Sequence, residues 1–124
     1  MPNASDWSKP TNEEPTVPGG RYGGSDVITF VATVTVKPEY EQEYVALVTA
    51  TVEMILANEA GTTLHVLHKH PTEPYTYVAI ERYRDADALK AHAEAPYFGE
   101  AMGELENWLA KPIDFVQLSQ IVPG

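Results

Sequence analysis

The segment Tyr75–Phe98 constrains the fold most, because its hydrophobic pattern changes within one short stretch from a strand period to a helical period. Residues 75–83 alternate as strand residues do, which places Glu81 and Tyr83 on the same face. Asp85 is suited to begin the following helix, since its carboxylate can accept hydrogen bonds from the first-turn amides. The segment therefore predicts a strand that runs directly into an amphipathic helix.

The rest of the chain supplies patterns that complete an α+β domain. Strands are predicted at residues 27–36, 62–70 and 113–122, and helices at residues 38–58 and 96–109. With the segment above, the order is β-α-β-β-α-β, which is typical of a ferredoxin-like fold with a four-stranded antiparallel sheet. In this fold the helices cover one face of the sheet.

The second face of the predicted sheet also needs cover. The first and last strands carry apolar residues on both of their faces, and a single copy of the chain would leave one of these faces in water. Two sheets packed face to face would bury the second apolar surface. We therefore expect a homodimer.

The N-terminal residues differ in composition from the rest of the chain. Residues 1–26 contain four prolines, four glycines and almost no aliphatic side chain. Such a segment buries too little apolar surface to offset the entropy lost on ordering. We expect a flexible N-terminal arm at residues 1–25 and one folded domain at residues 26–124.

Composition excludes several classes of function and partner. The formal net charge of -10 disfavours nucleic acid and anionic membrane surfaces as partners. Because the chain has no cysteine, disulfides, thiolate catalysis and cysteine-based metal sites are excluded. No apolar run is long enough to cross a bilayer, and the N-terminus lacks the pattern of a signal peptide. These features predict a cytoplasmic protein whose substrate is neutral, or is an anion bound by a local arginine.

Four short motifs occur in an order that is typical of a known family. They are a helix-ending Glu-x-Gly, a strand-ending Glu-x-aromatic, an Ala-x-x-x-His helix and a small-Pro-aromatic-Phe segment. They fall here on Glu59 with Gly61, Glu81 with Tyr83, Ala88 with His92, and residues 95–98. Over residues 27–122 the chain resembles the antibiotic biosynthesis monooxygenase family. That resemblance implies the dimeric α+β barrel form of the ferredoxin-like fold.

The resemblance also implies a range of reactions, and departures from the family's motifs narrow it. Members include cofactor-independent oxygenases of quinols and anthrones, haem-degrading enzymes, and isomerases of small metabolites. Haem-degrading relatives have a His, a Trp and an Asn where this chain has Met102, His92 and Ala32, so haem degradation is not expected. Polyketide-oxidising relatives have an Asn and a Trp on the third strand, where this chain has Ala79 and Tyr83. Tyr83 keeps an aromatic wall with a hydrogen-bonding tip, whereas the Asn amide is lost.

His92 is the first candidate for chemistry. Its spacing from Leu89 places both residues on the inner face of their helix. An imidazole titrates near neutral pH, so His92 could act as a general base or donate a hydrogen bond to a phenolic oxygen. The alternative is a core histidine bonded to a backbone carbonyl.

Glu81 is the second candidate, because a carboxylate on a central strand must be paired, protonated or directed into a pocket. It could orient His92 beside Tyr83. Alternatively, it could form a structural ion pair with Arg82 or Arg84 of a neighbouring subunit.

Three histidines on the second predicted strand allow two interpretations. His65 could face a cavity beside Leu67 and serve as the base in place of His92. His68 and His70 share a strand face, which permits two metal ligands, but no third ligand is evident. We therefore expect no metal site and interpret His68 and His70 as a polar strand end.

The remaining predicted site residues are aromatic or apolar. Tyr83, Tyr97 and Phe98 are candidates for the walls of a flat aromatic site, and Tyr83 is also a catalytic candidate beside Glu81. The surrounding apolar positions are predicted to be Leu67, Ala79, Leu89 and Met102.

The leading functional hypothesis is a cofactor-independent monooxygenase that binds a small aromatic substrate and O2. A base, His92 or His65, would remove a phenolic proton, and the anion would then reduce O2 and give a quinone. One alternative is an isomerase or epimerase of a small carbonyl metabolite, with His92 and Glu81 moving a proton. Another is a dimer that binds an aromatic ligand and is not an enzyme.

Overall fold

The computed structural model describes residues 26–122, and the predicted N-terminal arm at residues 1–25 lies outside this range. The order of strands and helices matches the order predicted from the sequence. The elements are β1 (Ile28–Thr35), a 3-10 turn (Pro38–Tyr40), α1 (Glu41–Asn58), β2 (Thr62–Lys69), β3 (Thr76–Tyr83), α2 (Ala86–Glu94), α3 (Pro96–Glu106) and β4 (Asp114–Ser119).

The four strands form one antiparallel sheet with the spatial order β2-β3-β1-β4. This order confirms the predicted α+β class and the ferredoxin-like arrangement. The register pairs Ala32 of β1 with Ala79 of β3, and His65 of β2 with Glu81 of β3. Two predicted site residues are therefore cross-strand neighbours.

Local signals in the sequence account for the helix boundaries. Asp85 caps α2 as predicted, since its Oδ1 accepts from the Ala88 amide at 2.8 Å. Pro96 occupies the first turn of α3, where its missing N–H removes no helical hydrogen bond. Four of the predicted strand and helix ends, at residues 58, 62, 83 and 96, coincide with the structure, and the others differ by at most three residues.

Two of these differences have a local cause. Tyr75 lies outside β3, because its backbone has a left-handed φ of 56° and ends the alternation. Leu109 lies beyond α3 and forms an isolated antiparallel bridge with Val36.

One burial prediction is wrong: Met54 was predicted on the inner stripe of α1 but is exposed.

The helices cover one face of the sheet and enclose the core against it. Alternate residues of β1 point into this core, as the sequence predicts: Ile28, Phe30, Ala32 and Val34. The core forms two adjoining clusters. One surrounds Val34, Tyr44 and Leu105, and the other surrounds Ile28, Tyr83 and Leu89.

The opposite face of the sheet carries an apolar row that crosses all four strands. The register aligns Val66, Ile80, Val31 and Val116 in this row. Val66 and Val116 are exposed, and so is Leu118 beside the row. Within residues 26–122, no helix is long and apolar enough to cross a membrane.

Gly61 lets the start of β2 approach α2 closely. A Cβ at this position would lie 2.4 Å from the Cβ of Ala88, which is closer than any packed contact allows. The Gly61 carbonyl accepts from the Arg84 amide at 2.8 Å, so the backbone has little freedom to withdraw. This approach brings the end of α1 next to α2.

We predict that Gly61→Ala lowers the free energy of unfolding by about 1–3 kcal/mol, because the added methyl overpacks the contact with Ala88. Urea denaturation measures this change. Gly103→Ala is the matched control: its Cβ would meet nothing within 4 Å in α3, so the variant should be as stable as the parent or more so. Equal stability of the two variants would contradict the close approach.

Candidate active site

A cavity lies between the helices and the inner face of the sheet. Its volume is about 90 Å³, and its lining is almost entirely apolar and aromatic. Five residues predicted from the sequence as apolar or aromatic surroundings are in the lining: Leu67, Ala79, Leu89, Phe98 and Met102. Further lining residues that the sequence reasoning did not select include Phe30, Tyr44, Leu47, Thr51 and Phe115.

Three polar side chains, His65, Glu81 and Tyr83, line one end of this cavity. The Tyr83 hydroxyl donates to Glu81 Oε1 at 2.5 Å, and His65 Nε2 lies 3.7 Å from the same oxygen. The side chains of His65 and Glu81 are only 9% and 14% exposed. All three residues were predicted as catalytic candidates, and the structure brings them together.

His65 is held in the uncharged form, the form in which an imidazole can accept a proton. Burial lowers its pKa, and the nearby His92 lowers it further, whereas the carboxylates of Glu81 and Glu59 act in the opposite direction. The net pKa lies below the ordinary value of about 6.5, so the imidazole is uncharged at neutral pH.

Tyr83 remains a neutral phenol at any physiological pH. Burial raises its pKa most, and the carboxylate of Glu81 adds to this effect. The side chain is fully buried. Tyr83 can therefore hold Glu81 in place as a hydrogen-bond donor, but it does not supply a phenolate.

Glu59 is the centre of a second polar cluster, which the sequence reasoning did not assign to the site. Its Oε1 accepts from Thr62 Oγ1 at 2.7 Å and lies 3.0 Å from His92 Nδ1. Its Oε2 accepts a short hydrogen bond from the Tyr97 hydroxyl. The signal was present in the Glu-x-Gly motif that includes Gly61, but the motif was interpreted only as a helix end.

His92 is buried as predicted, with 1% of the residue exposed. It lies behind the cavity wall instead of in it, because Phe98 and Tyr83 stand between: their ring centroids are 4.3 and 5.2 Å from the His92 ring. The His65 ring centroid is 6.1 Å away. His92 is thus bonded to a carboxylate and not to a backbone carbonyl, which was the alternative.

Tyr97 lies in a separate groove between α1 and α3, together with Glu100 and Glu104. This groove shares Leu47, Thr51 and Ala101 with the cavity, so the two spaces adjoin along the helices. Burial and the hydrogen bond to Glu59 raise the pKa of Tyr97. The predicted wall residue is therefore a partner of Glu59 and does not line the cavity.

The other histidines of β2 and its end bond to backbone groups. His68 Nδ1 lies 3.1 Å from the Val78 carbonyl, and His70 Nδ1 accepts from the Glu73 amide at 2.9 Å. Among the described residues, no group of three or more His, Asp or Glu side chains has an arrangement that could hold a metal ion.

Neither neighbouring arginine pairs with Glu81 within the described part of the chain. Arg82 Nε donates to Thr63 Oγ1 at 3.1 Å, and Arg84 Nε lies 3.4 Å from Asp85 Oδ2. The intrachain partners of Glu81 are therefore Tyr83 and His65.

The fold and the site together define a class: a ferredoxin-like α+β domain with an apolar cavity and buried imidazole–carboxylate pairs. The family described as antibiotic biosynthesis monooxygenase matches residues 27–104, which is more than half of the chain. The protein belongs to the antibiotic biosynthesis monooxygenase family, and this membership confirms the resemblance in its motifs.

Two relatives of similar sequence share this region. The chain is 29% identical over 92 residues to the uncharacterized protein sll1783 of Synechocystis and 29% identical over 91 residues to the Bacillus subtilis protein named "Putative monooxygenase YcnE". The matches cover 74% and 73% of this chain, respectively. The second match covers 95% of the Bacillus protein, whereas the first spans only 62% of the Synechocystis protein.

Solved structures of similar proteins have the same fold. A Caulobacter crescentus protein, named as a "putative antibiotic biosynthesis monooxygenase", is 28% identical, with a TM-score of 0.76 over 79% of this chain and 92% of that chain. A conserved protein from Methanosarcina mazei is 25% identical, with a TM-score of 0.73 over 78% of this chain and 95% of that chain.

The lowered pKa of His65 predicts how stability depends on pH. Below about pH 6.5 the unfolded chain protonates His65, whereas the folded chain resists protonation, so stability falls as the pH decreases. The loss of folding stability can reach about 1.4 kcal/mol per pH unit.

Urea denaturation at pH 7.5 and 5.5 measures this loss, which should be smaller for His65→Gln than for the parent chain. His68→Gln, an exposed histidine on the same strand, should keep the parent's loss; equal losses in all three proteins would contradict the assignment.

Proposed function

We propose that the protein is a cofactor-independent monooxygenase that oxidises a small electron-rich aromatic, of the quinol or anthrone type, with O2. The observation that carries this proposal is the uncharged imidazole of His65 in the lining of an apolar cavity. Such a group can remove a proton from a phenol in a site that contains little water. Membership of the antibiotic biosynthesis monooxygenase family supports the same reaction class.

The lining of the cavity supports a flat and uncharged substrate. Phe30, Phe98 and Phe115 provide aromatic surface. Among the residues that the structure describes, His65 and Glu81 are the only lining side chains with an imidazole or a carboxylate. A carboxylate in such a cavity disfavours an anionic substrate at binding. A neutral phenol avoids this repulsion and becomes an anion only when His65 takes its proton.

The reaction balances without an additional reductant. His65 takes the phenolic proton, and the substrate anion transfers one electron to O2. The resulting substrate radical and superoxide combine to form a carbon–oxygen bond, which gives a peroxide. His65 returns the phenolic proton to the peroxide, which gives a hydroperoxide. Its free nitrogen then removes the hydrogen on the carbon that bears the hydroperoxide, so that the C=O bond forms, the O–O bond breaks and hydroxide leaves. The hydroxide takes this proton from His65 and departs as water, while the other oxygen atom remains in the new carbonyl.

Tyr83 and Glu81 have supporting roles in this proposal. The Tyr83 hydroxyl holds the Glu81 carboxylate, whose Oε1 is 3.7 Å from His65 Nε2. When His65 carries the substrate's proton, the negative charge of Glu81 stabilises the imidazolium. His92 lies outside the cavity lining, so His65 is the base in direct reach of the substrate.

We also propose that two copies of the chain pack through the uncovered sheet face. The apolar row of Val31, Val66, Ile80 and Val116 crosses the whole sheet, and a row of this kind is seldom left in water. A second sheet would bury it and form the dimeric barrel that was expected from the sequence.

An isomerase of a small carbonyl metabolite is the second candidate function. It is favoured by the second carboxylate–imidazole pair, Glu59 and His92, close to the pair of His65 and Glu81. Two such pairs could remove a proton and return it at another position. Oxygen consumption separates the two functions, because isomerisation needs no O2.

We predict that the purified protein consumes O2 with a panel of quinols and anthrones, and that quinone forms in equal amount. His65→Gln should reduce the rate roughly 10²- to 10⁴-fold, because it removes the base. An oxygen electrode measures the O2 consumed, and absorbance spectroscopy measures the quinone formed. The control His68→Gln should keep the parent's rate, since His68 lies outside the cavity lining. Uptake that does not exceed autoxidation with any substrate would refute the proposal.

The sheet-face dimer makes a separate prediction. Leu118→Glu should convert a dimer into a monomer in light scattering after size exclusion, because it would place a charge in the buried interface. Leu56→Glu is the control, since Leu56 is also an exposed leucine, with 56% exposure against 46% for Leu118, but lies on α1. A parent chain that is monomeric at micromolar concentration, or a dimer that survives Leu118→Glu, would exclude this interface.

A further inference from the structure

Glu59 has a hydrogen-bonding environment that determines the state of its neighbour His92. Its carboxylate is 8% exposed and is surrounded by Thr62, His92 and Tyr97. Thr62 Oγ1 donates to its Oε1 and the Tyr97 hydroxyl to its Oε2, so both oxygens of Glu59 act as hydrogen-bond acceptors. His92 Nδ1, 3.0 Å from Oε1, is therefore assigned as the donor. In the neutral imidazole, the other nitrogen then carries a lone pair.

That other nitrogen, His92 Nε2, is buried and has no hydrogen-bond partner among residues 26–122. The same holds for His65 Nδ1 within the described part of the chain, whereas His65 Nε2 is the nitrogen near Glu81. Buried polar atoms without partners are uncommon, and each one calls for an explanation. Here two of them belong to adjacent rings, whose centroids are 6.1 Å apart at an angle of 47°.

We propose that Glu59 and His92 are positioning residues that set the tautomer of His65. In this arrangement His65 Nδ1–H is directed to the lone pair of His92 Nε2, and a small rotation of the rings closes this hydrogen bond. His65 Nε2 is then left without a proton, on the side of Glu81 and the cavity. The inference rests on the proposed function only for the meaning of that free nitrogen, which is the base for the substrate.

The chain of groups explains why two imidazoles and two carboxylates occur together. Besides burial, which lowers the pKa of His65, three side chains of the described residues shift it: Glu81 from β3 and Glu59 from the end of α1 raise it, and His92 from α2 lowers it. The hydroxyl of Tyr83 lies on the same oxygen of Glu81. When Nε2 accepts a substrate proton, Nδ1–H can donate more strongly to His92, and His92 in turn to Glu59. The positive charge that the substrate proton brings is thus stabilised by both carboxylates, Glu81 and Glu59. Before the proton arrives, the imidazole of His65 is neutral.

Tyr97 closes the chain on the side of the outer groove. Its hydroxyl holds the second oxygen of Glu59, so Oε1 remains directed at His92 and Thr62. Tyr97 lines the adjoining groove and is not among the residues that line the cavity. Tyr97, which belongs to the motif at residues 95–98, therefore acts on His65 from outside the cavity, by holding Glu59 in position for His92.

The test is nitrogen NMR of the histidine rings in the full-length protein, combined with oxygen uptake. In the parent chain we expect protonated Nδ1 and unprotonated Nε2 for both His65 and His92 at pH 7.5. Glu59→Gln offers one acceptor oxygen to three donors, so we expect the His92 tautomer to change and the population of Nε2-protonated His65 to rise. Turnover should fall roughly 10- to 100-fold while KM stays within about twofold.

The matched control is Glu41→Gln. Glu41 also lies on α1 and accepts from a tyrosine hydroxyl, that of Tyr77 at 2.8 Å, but it has no contact with His92. It should leave both tautomers and turnover unchanged. Should Glu59→Gln not fold, Tyr97→Phe serves instead, since it removes only the outer donor and should shift the same signals to a smaller degree.

Each outcome has a separate meaning. A proton on Nε2 of either histidine in the parent chain, or equal spectra for Glu59→Gln and Glu41→Gln, would overturn the inference. Oxygen uptake by the parent chain would still support the proposed function in that case. Conversely, the expected tautomers without any oxygen uptake would uphold the arrangement of the two histidines and refute the monooxygenase.

Discussion

The buried carboxylate of Glu59 is the interaction on which the site depends. A charge removed from water is tolerated only when hydrogen bonds replace its hydration, and Glu59 has Thr62, His92 and Tyr97 around it. These partners begin β2, lie in α2 and begin α3, so one side chain holds three elements at the end of α1. Gly61 permits this meeting, because no side chain separates the start of β2 from α2.

The sheet contributes the second half of the site. Antiparallel register places His65 opposite Glu81, and strand alternation places Tyr83 on the same inner face. The apolar cavity makes this cluster chemically useful, since burial keeps the imidazole of His65 neutral and weakens the competition of water. The same sheet presents its opposite apolar row to a second copy in our proposal. Catalysis and assembly would thus use the two faces of one structure.

Much of this architecture could be predicted from the sequence. Alternation identified the inner face of β1 and the shared face of Glu81 and Tyr83 in β3, and Asp85 identified the start of α2. Membership of the cavity was predicted well for apolar positions such as Leu89 and Met102, because helical and strand periods report which side a residue faces. The roles of His92 and Tyr97 could not be assigned in this way, since a period gives a direction but no distance between elements.

The sequence by itself determined the order of the elements, the faces of each strand and the family, because these follow from local spacing and short motifs. Only the tertiary structure decided which carboxylate serves which imidazole. Glu59 is 33 residues from His92 in the chain yet bonds to it. Glu81, for which orienting His92 was one of the interpretations left open by the sequence, lies beside His65. Such pairs depend on the packing of α2 against β2 and β3, and this packing is a property of the whole core and not of any one segment.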